Sequence, residues 1–285
     1  MGLIFIRGIL IAGLVLGVGG AGACAQAPKT PQELVDAMLA HELAPHTDRY
    51  EYVMNERSDR TGGHLWTEHV VETSVGRVMR LVAEDGKPLP PDREAQERAR
   101  LEQIAAHPDE FAREQQARKD DEAHARQLLA ELPKGFILEN VTLTNGVWRM
   151  DFRPNPDYSP SGFEERVLHS MTGWLAIDAK DLRLIHIEGR LPVDFNVGFG
   201  LVASIKAGSN FMNDRALIDG HWRTVHVTTD VRGKAILFKT VARKSDLTRS
   251  GFVYRDSNIT VPEAVALLEH AGNTSTIAAE MPVRK

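Results

Sequence analysis

The side chains able to do chemistry are abundant in this chain, so their spacing decides what they can do. His41-Glu42-Leu43-Ala44-Pro45-His46 has the composition of a zinc-protease helix. Such a helix holds its metal with histidines at i and i+4 on one face. Here the second imidazole falls at i+5, turned about 140° further round, and Pro45 breaks the turn. His64 and His69, and His221 and His226, repeat the offset of five in strand-like segments, where it sends side chains to opposite faces. No metal site is expected, and these histidines read as surface or partly buried groups. Nucleophile motifs fail as well: there is no GxSxG elbow and no SxxK. The acidic runs Asp120-Asp121-Glu122 and Glu164-Glu165 read as solvated charge. No catalytic residue and no cofactor is expected, and the chain reads as a non-enzyme.

Two glycine patterns resemble phosphate cradles. Gly17 to Gly22 matches GxGxxG but lies inside an export-signal-like segment, and Gly198 to Ala203 matches the looser GxGxxA form without the strand-to-helix unit that dinucleotide binding needs. The second pattern belongs to a more informative stretch, Val193 to Ile205, which is apolar yet too rich in glycine for a well-packed strand. It reads as a bulged core strand or as an apolar edge that would place Phe195, Phe199 and Leu201 against a ligand's hydrocarbon.

The elements that would position these residues begin after residue 25. Arg7 is the only charge before Lys29, Gly8 to Val18 is apolar or glycine, and small residues follow to Ala25, as in a secretory signal cleaved before Gln26. The alternatives are cleavage after Ala27, an uncleaved anchor, or lipidation of Cys24 following Ala21-Gly22-Ala23, which would tether the protein to an envelope membrane. Otherwise it is expected in the periplasm or outside the cell. Cys24 is the only cysteine, so no internal disulfide can form. Of the 34 basic residues Arg7 lies in the signal, which leaves 33 against 39 acidic ones and a net charge of −6. That balance disfavours nucleic acid as a partner.

Residues 26–285 read as one domain. Thr30, Pro31 and Glu33 open a helix, and Thr260, Pro262 and Glu263 open another that stops at Gly272. Between them period-two segments suggest antiparallel strands: 50–54, 68–74, 77–83, 136–143, 147–152, 164–171, 174–177, 182–191, 224–231, 235–242 and 251–254. Asp85-Gly86, Asn145-Gly146 and Arg232-Gly233-Lys234 supply turns. Residues 87–133 form a polar helical hairpin, read as a solvated insertion or a flap of low local stability. With so little helix to cover a sheet of about ten strands, the expected fold is α+β, mainly β: one bent antiparallel sheet, or partial barrel, with flanking helices.

One run carries a resemblance. Trp148-Arg149-Met150-Asp151-Phe152-Arg153-Pro154-Asn155-Pro156, then Gly173-Trp174-Leu175-Ala176-Ile177-Asp178, then Leu182 to Gly189 is similar to the "aromatic strand, G-x-[LW]-x-I-D, strand" order of exported proteins in the lipoprotein-carrier-like (LolA-like) superfamily. That superfamily also includes periplasmic regulators that bind an anti-sigma factor. The resemblance implies a half-barrel whose hollow holds acyl chains, with Trp148, Met150, Trp174, Phe195, Phe199 and Leu201 as its lining. No binding residue of the carriers transfers to a position here. The expected function is therefore a lipid or acylated-protein binder. A sensor docking an envelope protein on the sheet or on the insertion is the alternative, and a hydrolase comes third.

Overall fold

The computed structural model describes residues 30–45, 47–197, 203–235, 239–240 and 243–272. In chain order its elements are α1 (Pro31–Glu42), β1 (Arg49–Ser58), β2 (Leu65–Glu72), β3 (Arg77–Glu84), β4 (Lys87–Pro88), α2 (Pro91–Ala106), α3 (Pro108–Ala130), α4 (Leu132–Gly135), β5 (Phe136–Thr144) and β6 (Val147–Pro154). They continue with α5 (Phe163–His169), β7 (Thr172–Asp178), β8 (Leu184–Arg190), β9 (Phe195–Val197), β10 (Ala203–Ile205), β11 (Asn210–Ile218), β12 (His221–Val231), β13 (Gly233–Ala235), β14 (Lys239–Thr240), β15 (Arg243–Arg255) and α6 (Val261–Gly272).

Both flanking helices start as their sequences dictate. The Thr30 hydroxyl accepts the Glu33 N–H at 3.1 Å while the Glu33 carboxylate accepts the Thr30 N–H at 2.9 Å. Thr260 and Glu263 repeat the exchange at the start of α6.

The half-barrel expectation is corrected. Eleven antiparallel strands lie in the order β4-β3-β2-β1-β15-β12-β11-β8-β7-β6-β5, and the sheet neither curls nor closes into a half-barrel. A separate sheet holds four strands in the order β14-β13-β10-β9. Curling was expected for want of helical cover, but cover is needed only where the sheet is apolar. Leu34, Val35, Met38 and Leu39 of α1 pack with Met150, Phe152, Leu175, Ile177 and Ile187 at one end. At the other end Val71 and Val78 pack with Leu101 of α2, Phe111 of α3 and Ala264, Val265 and Leu268 of α6. The central strands β11, β12 and β15 carry no fully buried residue among those described. Their side chains are largely polar and tolerate water.

Strand register shows that the two helical covers lie on opposite faces. Leu175 opposes Ile187, Ile187 opposes Asn213, Asn213 opposes Val227, Val227 opposes Leu247 and Leu247 opposes Glu56. Directly opposed residues share a face, so the α1 side carries Glu56 and, by alternation, Tyr52 of β1. Tyr52 opposes Val70, whose neighbour Val71 therefore belongs to the α6 side. Helix α3 links the two. Phe111 is held on the α6 side, Gln115 rests on Gly76 of the β2–β3 turn, and Glu122 reaches Arg77 on the α1 side at 2.7 Å. The polar insertion is thus anchored by Leu101 and Phe111 in a core, and its second helix straps the hairpin end.

Three local expectations also change. Residues 164–169 belong to helix α5, and Ser170 and Met171 turn the chain into β7, in place of a strand. The Glu165 carboxylate accepts the Ser161 and Gly162 N–H groups, and Phe163, Val167 and Leu168 pack at helical spacing on Met171, Leu191 and Ile205. Gly233 is not a turn residue but lies within β13; a Cβ there would sit 2.4 Å from the Ser204 carbonyl oxygen, so glycine permits a close strand approach. Strand β11 was not foreseen at all.

Candidate functional site

Among the described residues of the lining expected for an acyl hollow, Trp148 and Met150 lie on one face of the sheet and Trp174 on the other. Trp148 and Met150 point into the α1 core, where Met150 has no exposed surface. Trp174 lies on the opposite face, stacked on His186 with ring centroids 4.0 Å apart; Arg149 sits over it at 4.6 Å, and Glu188 accepts its indole N–H at 2.5 Å. Phe195, on β9, packs edge-on against Phe163 of α5. Phe199, Leu201, His46 and Cys24 lie outside the described residues.

What the fold assembles is polar. On the α1 side of the sheet, a cavity of about 240 Å³ is lined by Asp48, Tyr50, Glu72, Arg183, Arg215, Gly220, His221, Trp222, Arg223, Thr224, Arg249 and Phe252. Two bulges border it. Val225 is the extra residue where Asp214 opposes His226 but Arg215 opposes Thr224. The β1–β15 register likewise shifts between Glu51 and Val53, and Gly251, at φ +64°, takes the left-handed conformation there. Bulges re-aim the side chains around them, and here they flank three arginines on three adjacent strands.

Those arginines are only partly satisfied. Glu42, the last residue of α1, forms an ion pair with Arg215 and accepts Arg183 Nε at 2.8 Å. Arg223 lies over the Tyr50 ring, 3.3 Å from its centroid, and meets Asp48 at 3.4 Å. Arg249 makes no ion pair among the described residues, and its guanidinium lies 5.6 Å from the Tyr52 ring centroid. The Nε–H groups of Arg215, Arg223 and Arg249 are all buried without a hydrogen-bond partner. Buried donors left unpaired are uncommon and costly, more so on charged groups.

Burial and the neighbouring Arg223 lower Arg215 to about 10, so it remains a cation at neutral pH. Glu72 accepts the Tyr50 N–H at 3.2 Å, and burial raises it above the ordinary carboxyl value against the pull of Arg249, Arg223 and Arg77. Burial likewise raises the Tyr50 phenol, which stays neutral. Such a wall offers charged donors to an anion in a small, polar, partly water-excluded space.

A second constellation joins residues that the spacing of histidines did not. His64 Nδ1 lies 2.7 Å from Asp85 Oδ2 and 4.0 Å from Glu84, close enough for the three to share a cation. Each already has a protein partner, since Asp85 accepts the Leu65 N–H and Glu84 the Trp66 indole N–H. The Asp85-Gly86 turn brings these groups together.

None of the cavity arginines was singled out in the sequence. Arg215, Arg223 and Arg249 are separated by 8 and then 26 residues of chain, and the strand order makes them neighbours. Comparison with protein-family models, with curated proteins and with solved structures yields no match, so the carrier resemblance of residues 148–189 rests on those residues alone.

Proposed function

We propose that this protein is a binding protein that holds an oxyanion, of the sulfate, phosphate or carboxylate kind, in the arginine-lined cavity on the α1 side of its sheet. The observation that carries this reading is that Arg215, Arg223 and Arg249, each with a buried Nε–H that has no partner, line one hollow. Guanidinium forks match oxyanions in geometry and charge. In a chain of net charge −5 the concentration of arginines at this spot supplies a local attraction that the surface as a whole does not. The work is non-covalent binding, and the signal-like residues 1–25 support a location beyond the cytoplasm. Against an acyl-chain guest, Met150 is enclosed in the α1 core and Trp174 lies on the other face of the sheet, which favours the anion reading.

Thermal unfolding of the full chain with sulfate, phosphate or citrate, each against chloride at equal ionic strength, tests this. A ligand at 100 times its Kd adds about 2.7 kcal/mol of stability, which a domain of this size shows as a Tm rise of roughly 5–10 °C. Arg249→Met and Arg223→Met are expected to lose that rise. Equal effects of all anions in the unaltered protein would refute the reading.

A further inference from the structure

Within the cavity Glu72 is out of place. It is a carboxylate in a wall that otherwise receives anions, and it makes no ion pair among the described residues although Arg249, Arg223 and Arg77 all act on it. Its Oε2 takes the Tyr50 N–H, while its Oε1 receives no hydrogen bond among the described residues. The other acids of the site are occupied: Glu42 holds Arg215 and Arg183, and Asp48 meets Arg223 and His221 at 3.4 Å each.

Resting on the anion-binding reading above, we propose that the cavity takes up its oxyanion together with a proton, and that Glu72 carries that proton and donates it as a hydrogen bond to the ligand. An ionised Glu72 would repel the ligand across a short, poorly solvated gap, whereas the neutral acid is both uncharged and a donor.

The surroundings favour this. Burial already raises Glu72, and only Arg249 of β15, Arg223 of β12, Arg77 of β3 and the Tyr50 N–H of β1 oppose the rise. An anion that engages those guanidiniums cancels their pull and adds its own charge, so the carboxyl is raised further. Tyr52, the other titratable group beside Glu72, is itself raised by burial and stays neutral. Glu122 of α3 pairs with Arg77 and weakens that arginine's hold on Glu72. A proton is taken from solvent in the pH window between the free and the bound value of Glu72, and binding tightens as pH falls through it. This selects a fully charged oxyanion, such as sulfate or a phosphate dianion, whose charge the protonated site then balances.

Isothermal titration of the full chain with sodium sulfate, at constant ionic strength set by chloride, reads the effect, because sulfate keeps its charge from about pH 5 to about pH 8. The expected affinity rises on acidification by up to about tenfold per pH unit, the limit for one proton. Glu72→Gln should flatten that slope while binding sulfate at least as well as the unaltered protein at the upper end of the range. Glu72→Asp should keep a slope, and His221→Asn should leave it unchanged. Measurable binding with a flat profile overturns the proton role and leaves the anion site standing. A slope kept in Glu72→Gln and lost in His221→Asn overturns it in favour of His221. If Glu72→Gln does not fold, the heat of sulfate binding to the unaltered chain in two buffers of different ionisation enthalpy decides, and identical heats overturn the proposal. Absence of sulfate binding at every pH defeats the anion reading itself, a result distinct from a flat slope.

Discussion

The Glu42–Arg215 pair is the most exacting point at which to test the site. Glu42 ends α1, where the helix dipole disfavours a negative charge, yet its side chain is only 7% exposed and meets two guanidiniums that are themselves 17% and 12% exposed. Replacement by Gln keeps the shape and removes the charge. Arg215 is then left buried beside Arg223 with no anion, and breaking one side of a buried pair costs about 3–5 kcal/mol. For a domain of this length that is a Tm loss of roughly 6–20 °C. The assay is a double-mutant cycle of Glu42→Gln and Arg215→Met, measured by urea unfolding. If the pair acts as described, the double variant is less destabilised than the sum of the single variants, by at least about 2 kcal/mol. Sulfate should also restore Glu42→Gln more than it stabilises the unaltered protein, because it supplies the missing counter-charge. Additive losses within about 0.5 kcal/mol, or a Glu42→Gln loss no greater than an exposed ion pair would give, would refute the reasoning.

Three further outcomes are expected. Gly173→Ala places a Cβ 1.9 Å from the Glu188 carbonyl oxygen and 2.6 Å from the Phe152 ring, so β7 and β8 cannot stay paired; a loss above about 3 kcal/mol or an insoluble product is expected, read by expression and circular dichroism. Leu101→Ala empties a fully enclosed position between α2 and α6 and should cost about 2–5 kcal/mol in chemical unfolding, whereas a merely solvated insertion would lose almost nothing. Burial alone would raise Glu56, but hydrogen bonds from Arg60 and Ser58 outweigh it and hold the carboxyl below its usual value. Its stabilisation is therefore present above the ordinary glutamate pKa and is lost as pH falls through the lowered one; Glu56→Gln should lessen the acid sensitivity of unfolding, and an unchanged pH profile would count against the network.

The elements written in local chemistry were legible in the chain. Thr30 with Glu33 and Thr260 with Glu263 mark helix starts through groups three residues apart, and Asn145-Gly146 and Asp85-Gly86 mark turns because those residues adopt positive φ, as all four do. The same chemistry announced β11: Asp219-Gly220, at φ +49° and +80°, is a hairpin turn whose first strand had gone unread. Residues 164–171 misled because period-two and period-3.6 patterns coincide over so short a stretch, and the capping by Glu165 decides between them.

What the chain alone determined is where the flanking helices start, where several hairpins turn and which segments alternate as strands, because capping, turn formation and side-chain alternation act over a few residues. What only the tertiary structure decided is the open sheet, the placing of helices on opposite faces at its two ends, and the meeting of Glu72, Arg215, Arg223 and Arg249 around one hollow, with Glu42 paired to Arg215. The physical reason is that strand order pairs β1 with β15 across nearly two hundred residues of intervening chain and so sets β1 beside β12, and no local propensity encodes which distant strands share hydrogen bonds.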